Sequence, residues 1–321
     1  MATRERPRAD IPDAEGGSLE FGSFAPADTP GDRSSLVVAS YNIRYAVGSH
    51  LISGSIVRRL GLSMPGRRAQ RVERHLAGAT EAFSRGRIIP EIDVLALQEA
   101  DSRTVRAGSH HIARELAEKL RMNFAYAPAA RPDGEEPKAR QWYLDFEEHI
   151  PSDDNGRTGV AILSRLPICD ISRIDLPWQT CPWRPRLALK ATIRSGGRTI
   201  NLFNAHIDPH AEIAEQLEQH AAILDRADSS GAATVLAGDF NTLSKRSCAA
   251  MLDFLKARGF STPFATETPT WRAGLIRLHT DWIFVRDVEV KRFGVARPLG
   301  VSDHWPVWIE IDLKRNQDDA A

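Results

Sequence analysis

The sequence predicts an α/β protein in which two mixed β-sheets pack face to face with helices on the outside. Three observations predict it. Short, wholly apolar runs alternate with segments whose apolar residues recur at helical spacing. A hairpin pattern interrupts that alternation, which a purely parallel sheet would not contain. The chain has 321 residues and 42% hydrophobic content, ample for a sizeable core, and no repeat or linker divides its middle.

The elements follow in order. Residues 1–34 hold four prolines, four glycines and few large apolar side chains, and read as a flexible N-terminal tail. Leu36–Tyr41 reads as a buried strand, and Val72, Leu76, Ala79 and Phe83 fall at helical spacing after it. Ile92–Leu97 is a second buried strand, Ile112, Leu116 and Leu120 mark the next helix, and Gly159–Leu163 is a third strand. Leu187, Leu189, Ala191 and Ile193 then alternate with polar or small residues, Ser195-Gly196-Gly197-Arg198 turns the chain, and Thr199–Ala205 runs back. A helix is predicted over Ala211–Arg226, a buried strand over Thr234–Ala237, and a helix over Ser247–Arg258 that ends at Gly259. Strands at Asp281–Val285, Val288–Phe293 and Val307–Ile311 close the domain, which spans residues 35–315, and residues 316–321 read as a frayed C-terminal tail.

Composition narrows the function. Lys plus Arg and Asp plus Glu are 42 each, so a polyanion would be held by a local patch rather than by the whole surface. Cys169, Cys181 and Cys248 form no CxxC pair and no zinc-site spacing with histidine, which fits reduced thiols. No apolar run approaches the roughly 20 residues that span a bilayer. The basic N-terminus lacks the apolar stretch of a secretory signal, so the expectation is a cytoplasmic protein without a transmembrane segment.

The predicted strand ends carry the chemistry. Leu36–Tyr41 runs into Asn42, Ile92–Leu97 into Gln98-Glu99, Thr199–Ala205 into His206, and Thr234–Ala237 into Gly238-Asp239-Phe240-Asn241, while Ser302-Asp303-His304 precedes the last strand. Each alone has an ordinary reading: Glu99 a solvated cap, Asn42 a turn residue, His206 a satisfied histidine, the Asp239 segment a turn. One ligand site at the strand ends accounts for all five together. Glu99 and Asp303 offer the hard carboxylate oxygens that Mg²⁺ takes, with Asn42 giving an amide oxygen or a hydrogen bond nearby. Asp239 can orient or deprotonate a water, and His206 and His304 can stabilise charge that develops on phosphorus oxygens. Asp281 can hold His304 in one tautomer.

Six segments in this order, Tyr41-Asn42-Ile43-Arg44, Leu97-Gln98-Glu99, Asn204-Ala205-His206-Ile207-Asp208, Gly238-Asp239-Phe240-Asn241, Asp281-Trp282-Ile283-Phe284 and Ser302-Asp303-His304-Trp305-Pro306-Val307, resemble the endonuclease/exonuclease/phosphatase superfamily of metal-dependent phosphohydrolases. The resemblance covers Leu36 to Ile311 and implies a four-layer α/β/β/α sandwich. It implies Mg²⁺, with Mn²⁺ as a substitute, held chiefly by Glu99 with Asn42 and Asp303 close by. It also implies Asp239 at the water, Asn241 at the phosphate or that water, and His304 paired with Asp281. His206 is histidine in the deoxyribonuclease, deadenylase and sphingomyelinase branches, whereas the abasic-site branch usually has tyrosine. The deoxyribonucleases orient that histidine with a glutamate, and no glutamate stands in the matching stretch before Gly159. His279-Thr280 before Asp281 is a second departure, since arginine usually stands near there.

Three segments bear on the substrate. Ser55–His75 carries Arg58, Arg59, Arg67, Arg68, Arg71 and Arg74, read either as a contact for a phosphate backbone or anionic lipid, or as a solvated helix face. Ala127–Asn155 holds Trp142, Tyr143 and Phe146, either a stacking lid or aromatics tucked onto the core. Leu176–Arg186 holds Trp178, Trp183 and Arg184, and ends at Arg186, a candidate phosphate contact; Arg103, four residues after Glu99, is another. The expected activity is phosphodiester hydrolysis, with nucleic acid favoured as substrate. The alternatives are a phosphomonoesterase on a phosphoinositide-like anion and a sphingomyelinase-like phospholipid phosphodiesterase. A non-catalytic binding module is disfavoured because no core position is lost.

Overall fold

A computed structural model describes residues 19–26, 33–49, 67–129, 150, 154–177, 186–195, 198–228 and 232–313. Among them the elements run β1 (Glu20–Ser23), β2 (Ser35–Asn42), α1 (Arg67–Ser84), β3 (Val94–Gln98), α2 (Ile112–Leu120), β4 (Asn123–Pro128), β5 (Gly159–Ser164), β6 (Ile168–Asp175), β7 (Leu187–Ser195) and β8 (Arg198–His206). They continue with α3 (Ile213–Asp228), β9 (Ala233–Asp239), α4 (Lys245–Lys256), β10 (Trp271–Ala273), β11 (Ile276–Leu278), β12 (Asp281–Arg286), β13 (Val290–Val295) and β14 (Val307–Asp312).

Seven strands form one sheet in the order β1-β4-β5-β3-β2-β14-β13, and five form the other in the order β12-β9-β8-β7-β6. Each sheet contains one parallel pair, β2 with β3 and β8 with β9. The faces of the larger sheet show why its strands read as unbroken apolar runs. In β2, Leu36 and Val38 enter the core between the sheets, while Val37, Ala39 and Tyr41 enter the core under the helices. Val94 and Ala96 of β3 divide from Leu95 and Leu97 in the same way, as do Val160 and Ile162 of β5 from Ala161 and Leu163. Both faces are covered, so both must be apolar. Val72, Leu76 and Phe83 of α1 and Ile112 and Leu116 of α2 pack on the outer face. Ile223 and Leu224 of α3 and Met251 and Leu255 of α4 pack with the smaller sheet. The layers are therefore helix, sheet, sheet, helix, the predicted sandwich.

Several elements differ from the sequence reading. Glu20–Ser23, inside the stretch read as a tail, is an edge strand paired with β4. It is four residues long and only partly buried, which leaves almost no periodic signal. The strand β4 was not predicted, because its apolar run is short, bounded by Asn123 and Pro128, and follows α2 directly after a left-handed Arg121. In β6 the register shifts between Ile168 and Asp170, so Ile168, Ile171 and Ile174 recur every three residues and the alternation is lost. The last helix begins at Lys245 because Ser244 caps it, its side chain accepting from Ser247 N at 3.0 Å. The strand expected from Val288 begins at Val290. Arg67, Arg71 and Arg74 lie exposed on α1, where both readings of the arginine-rich segment place them. Its residues 55–66 lie outside the described residues, as do Trp142, Tyr143, Phe146, Trp178, Trp183, Arg184 and residues 316–321.

Candidate active site

Register brings the polar strand ends to one rim. Asn42 lies opposite Gln98 where β2 and β3 end, His206 opposite Asp239 where β8 and β9 end, and Asp281 opposite Asp239 where β12 begins. Val307 pairs with Ser40, so the turn carrying Asp303 and His304 enters β14 on the same rim. Asn204, from the smaller sheet, donates to Leu97 O and Ala161 O of the larger one at 2.8 Å each and accepts from Gln98 Nε2 at 2.6 Å. These three bonds fix the two sheets against each other directly behind the site.

The backbone here adopts conformations that ordinary side chains avoid. Glu99 has φ 49° and Asn241 φ 50°, and Arg44, Tyr45 and Ala46 have φ 46°, 41° and 57°. Left-handed non-glycine residues cost about 1–3 kcal/mol each and cluster where surrounding structure over-determines them. Gly238 is required by proximity: a Cβ there would lie 1.9 Å from Ala205 O. Its absence lets β9 run close to β8 and sets Asp239 beside His206.

One side of the site is a chain of carboxylates around an imidazole. His304 Nδ1 donates to Asp281 Oδ2 at 2.9 Å, and Asp281, fully buried, also accepts from Thr280 Oγ1 at 2.9 Å. His304 Nε2 lies 3.8 Å from Asp239 Oδ2. Burial alone would drive the imidazole toward neutrality, but Asp281, Asp239 and Asp303 outweigh it and raise the pKa of His304 above the ordinary histidine value. Burial likewise raises Asp239 above the ordinary carboxylate range; Asp281 adds to this and His304 opposes it.

Asn42 joins this chain to Glu99. Its Nδ2 donates to Asp239 Oδ2 at 2.9 Å and to Glu99 Oε1 at 3.1 Å, while its Oδ1 accepts from Arg44 N at 3.0 Å. The Arg44 amide fixes which end of the side chain is oxygen. Of the two options for Asn42, amide oxygen or nearby hydrogen bond, the structure has the hydrogen bond. Asp303 Oδ2 accepts from Trp271 Nε1 at 3.1 Å and lies 3.2 Å from Arg44 Nη1.

Two groups of atoms have the chemistry to receive a cation. Asp239, Asp281 and His304 turn ligand atoms to within 4.8 Å of one another, but His304 Nδ1 is already hydrogen-bonded to Asp281. Glu99 Oε2 is different: it is buried and, among the described residues, has no hydrogen-bond partner. An uncompensated buried carboxylate oxygen is costly, and a hard divalent cation is the partner that suits it. Glu99 therefore fits such an ion; Asn42 donates to its other carboxylate oxygen, while Asp303 is engaged by Trp271 and Arg44.

His206 has a different partner from His304. Arg186 Nη1 approaches its Nδ1 at 2.9 Å, and its Nε2 lies 3.6 Å from Asp239 Oδ2. The same Nη1 also lies 3.2 Å from His206 Nε2, so the guanidinium faces both ring nitrogens. Arg186 is therefore at the site, where the sequence left His206 without a carboxylate. Asn241 N closes a turn on Asp239 Oδ1 at 3.0 Å, and its Nδ2 donates to Ile207 O at 2.8 Å. Arg103 is exposed, and its backbone N bonds His110 O on the loop leading to α2. Sequence reasoning missed Trp271, which lies outside all six segments, and the clamp made by Gln98 and Asn204, both inside them but read as flanking residues. Arg277 is exposed in β11. A cavity of about 410 Å³ opens beside Asp303, lined among others by Ser49, Arg272, Pro298 and Trp305.

Comparison with known proteins agrees with this geometry. No curated protein matches the chain in sequence. Among solved structures, an endonuclease/exonuclease/phosphatase family protein from Leptotrichia buccalis is 16% identical with a TM-score of 0.57, over 87% of this chain and 100% of that one. ANGEL2, described as a 2′,3′-cyclic phosphatase in complex with adenosine-2′,3′-vanadate, is 13% identical with a TM-score of 0.58, over 93% and 99%. The mannosyl-6-phosphatase Bt3783 of Bacteroides thetaiotaomicron is 18% identical with a TM-score of 0.51, over 86% and 99%. At such identities the likeness establishes the fold and leaves the substrate to the site. The sequence model of the Endonuclease/Exonuclease/phosphatase family matches residues 39–304, which takes in the site from Asn42 to His304, and the chain belongs to that family of phosphoester hydrolases.

Proposed function

We propose that the protein is a Mg²⁺-dependent phosphodiesterase, active also with Mn²⁺, that cleaves by in-line attack of water, with nucleic acid as the favoured substrate class. The observation that carries this reading is the unpartnered Glu99 Oε2 one hydrogen-bonded residue away from the Asp239–His304–Asp281 chain. Glu99 would hold the cation, with Asn42 and Asp303 as its neighbours. When bound, such an ion draws charge from a phosphoryl oxygen and leaves phosphorus more open to attack. Asp239, buried and next to both histidines, orients the water and accepts its proton. His304, kept cationic by Asp281, stabilises the charge that builds on the phosphoryl oxygens. Asn241 and His206 border the same space, and Arg186 supplies a guanidinium for the phosphate. Arg103 is the outermost of the proposed substrate contacts. Free thiols at Cys169 and Cys248 support a reducing, cytoplasmic setting, and no helix among the described residues is long and apolar enough to cross a membrane.

One observation favours a second reading. Arg186 places a positive charge where a carboxylate was expected, and an added cation suits a doubly charged terminal phosphate. A phosphomonoesterase acting on a phosphoinositide-like anion is that alternative. A panel with Mg²⁺ separates the two: bis-p-nitrophenyl phosphate, single-stranded DNA and RNA, sphingomyelin, and inositol phosphates. The first reading expects diester cleavage and no release of inorganic phosphate from the inositol phosphates. Phosphate release without diester cleavage would replace it with the second.

A further inference from the structure

The loop after Glu99 contains an ion pair that the proposed chemistry does not use. Asp101 is fully buried and Arg106 is 2% exposed. The carboxylate receives Arg106 Nε at 2.6 Å and Nη2 at 2.9 Å, and Thr104 Oγ1 donates to it at 2.6 Å. A charge pair this deep is a poor source of stability, because desolvation offsets most of its attraction. Its position is more informative. Asp101 N donates to Glu99 O at 3.1 Å, and Asp101 O accepts from Ile112 N at 2.9 Å, which ties the loop to the first turn of α2. Glu99 O also accepts from Tyr45 N at 3.0 Å, and Ile43 N reaches Gln98 O at 3.1 Å. The two left-handed segments, Arg44–Ala46 and Glu99, are thus joined backbone to backbone. The Arg106 guanidinium lies 4.1 Å above the ring of Tyr45 while forking onto Asp101. One buried side chain therefore reaches Tyr45 in the first strained segment and Asp101, two residues beyond Glu99, in the loop that follows the second.

We propose that Asp101 and Arg106 are positioning residues for Glu99: their bidentate pair holds the residue in its left-handed conformation, keeps Oε2 aimed into the site, and so sets the affinity for a divalent cation. The inference rests on the reading of Glu99 as a cation ligand. Groups that orient ligands in this way typically contribute about 10- to 100-fold in metal affinity. A fork that only stabilised the loop would instead be replaceable by apolar side chains of similar volume at little cost.

The test uses the full chain and measures Mn²⁺ binding by the loss of the free-ion electron paramagnetic resonance signal. The double variant Asp101→Leu/Arg106→Met removes both charges, and Arg106→Lys keeps the charge but loses the fork. Circular dichroism establishes which variants are folded. A folded double variant should bind Mn²⁺ about 10- to 100-fold more weakly than wild type. Should it not fold, Arg106→Lys decides, with a weakening of about tenfold expected. A folded variant that binds Mn²⁺ within about twofold of wild type overturns the proposal. Glu99→Gln separates this outcome from failure of the underlying reading. If Glu99→Gln binds Mn²⁺ as well as wild type does, Glu99 is not the ligand. If it loses binding while the double variant keeps it, only the clamp is wrong.

Discussion

His304, on the turn before β14, and His206, at the end of β8, face the same space, and their surroundings are opposite in charge. His304 sits between carboxylates, bonded to Asp281 and close to Asp239. His206 meets the Arg186 guanidinium, and its Nε2 lies 3.6 Å from Asp239. Carboxylates beside an imidazole favour its cationic form, whereas a guanidinium beside one disfavours it. Two histidines that look equivalent in sequence thus differ in what they can do. His304 supplies positive charge itself; at His206 the positive charge belongs to the neighbouring arginine.

The largest expected effect breaks the His304 side. His304→Ala should lower kcat by about 10³-fold, in the range of a lost acid–base or charge-stabilising group, with KM changing little. Asp281→Asn should lower kcat by about 10²-fold, because the ring loses the carboxylate that keeps it charged and oriented. A ¹⁵N spectrum of the ring should show the loss of the imidazolium pattern at neutral pH. The His206 side should respond less and differently. Arg186→Met should raise KM about tenfold by removing one charged hydrogen bond to substrate, with Arg186→Lys recovering part of it. A kcat loss as large as that of His304→Ala, with KM unchanged, would erase the proposed distinction.

Smaller effects concern the scaffold that sets the two sides apart. Asn204→Ala leaves Gln98 and the carbonyls of Leu97 and Ala161 without their buried partner, so unfolding in urea should show a loss of about 1–3 kcal/mol. His220, on α3 and edge-on to Phe240 at 4.8 Å, carries a pH signature. Burial lowers its pKa from 6.5 to about 3. The unfolded chain therefore takes up this proton as pH falls through 6.5 and the native chain does not until about 3. The contribution of His220 to stability is complete above pH 6.5 and is lost toward pH 3. His220→Leu should flatten the acid slope by about 1.4 kcal/mol per pH unit in that window. Arg103→Ala, at an exposed position, should change kcat/KM least of all.

The sequence made most of the rim legible because Asn42, Glu99, His206 and Asp239 lie at the ends of strands buried on both faces, and Asp281, Asp303 and His304 lie where strands begin. Those strands have few alternative readings, and their ends coincide with the motif positions. The partner of His206 was not legible, since Arg186 belongs to a different strand and its approach depends on the pairing of β7 with β8. The amide orientation of Asn42 was equally hidden, being fixed by the Arg44 backbone. Short or bulged elements escaped for another reason. β1 has too few residues for a period, and the bulge in β6 turns alternation into a spacing of three. The buried pair of Asp101 and Arg106 looks in sequence like part of a solvated polar loop, and only the chain's return to α2 buries it.

The central claim is cation-dependent phosphodiester hydrolysis through Glu99 and His304. Its most direct measurement is hydrolysis of bis-p-nitrophenyl phosphate by the full chain with Mg²⁺, with EDTA, and with Mg²⁺ restored, in wild type, Glu99→Gln and His304→Ala. The account predicts activity that EDTA abolishes and Mg²⁺ restores in wild type, and that both variants lose. Hydrolysis that persists in EDTA, or that Glu99→Gln retains at the wild-type rate, would contradict it.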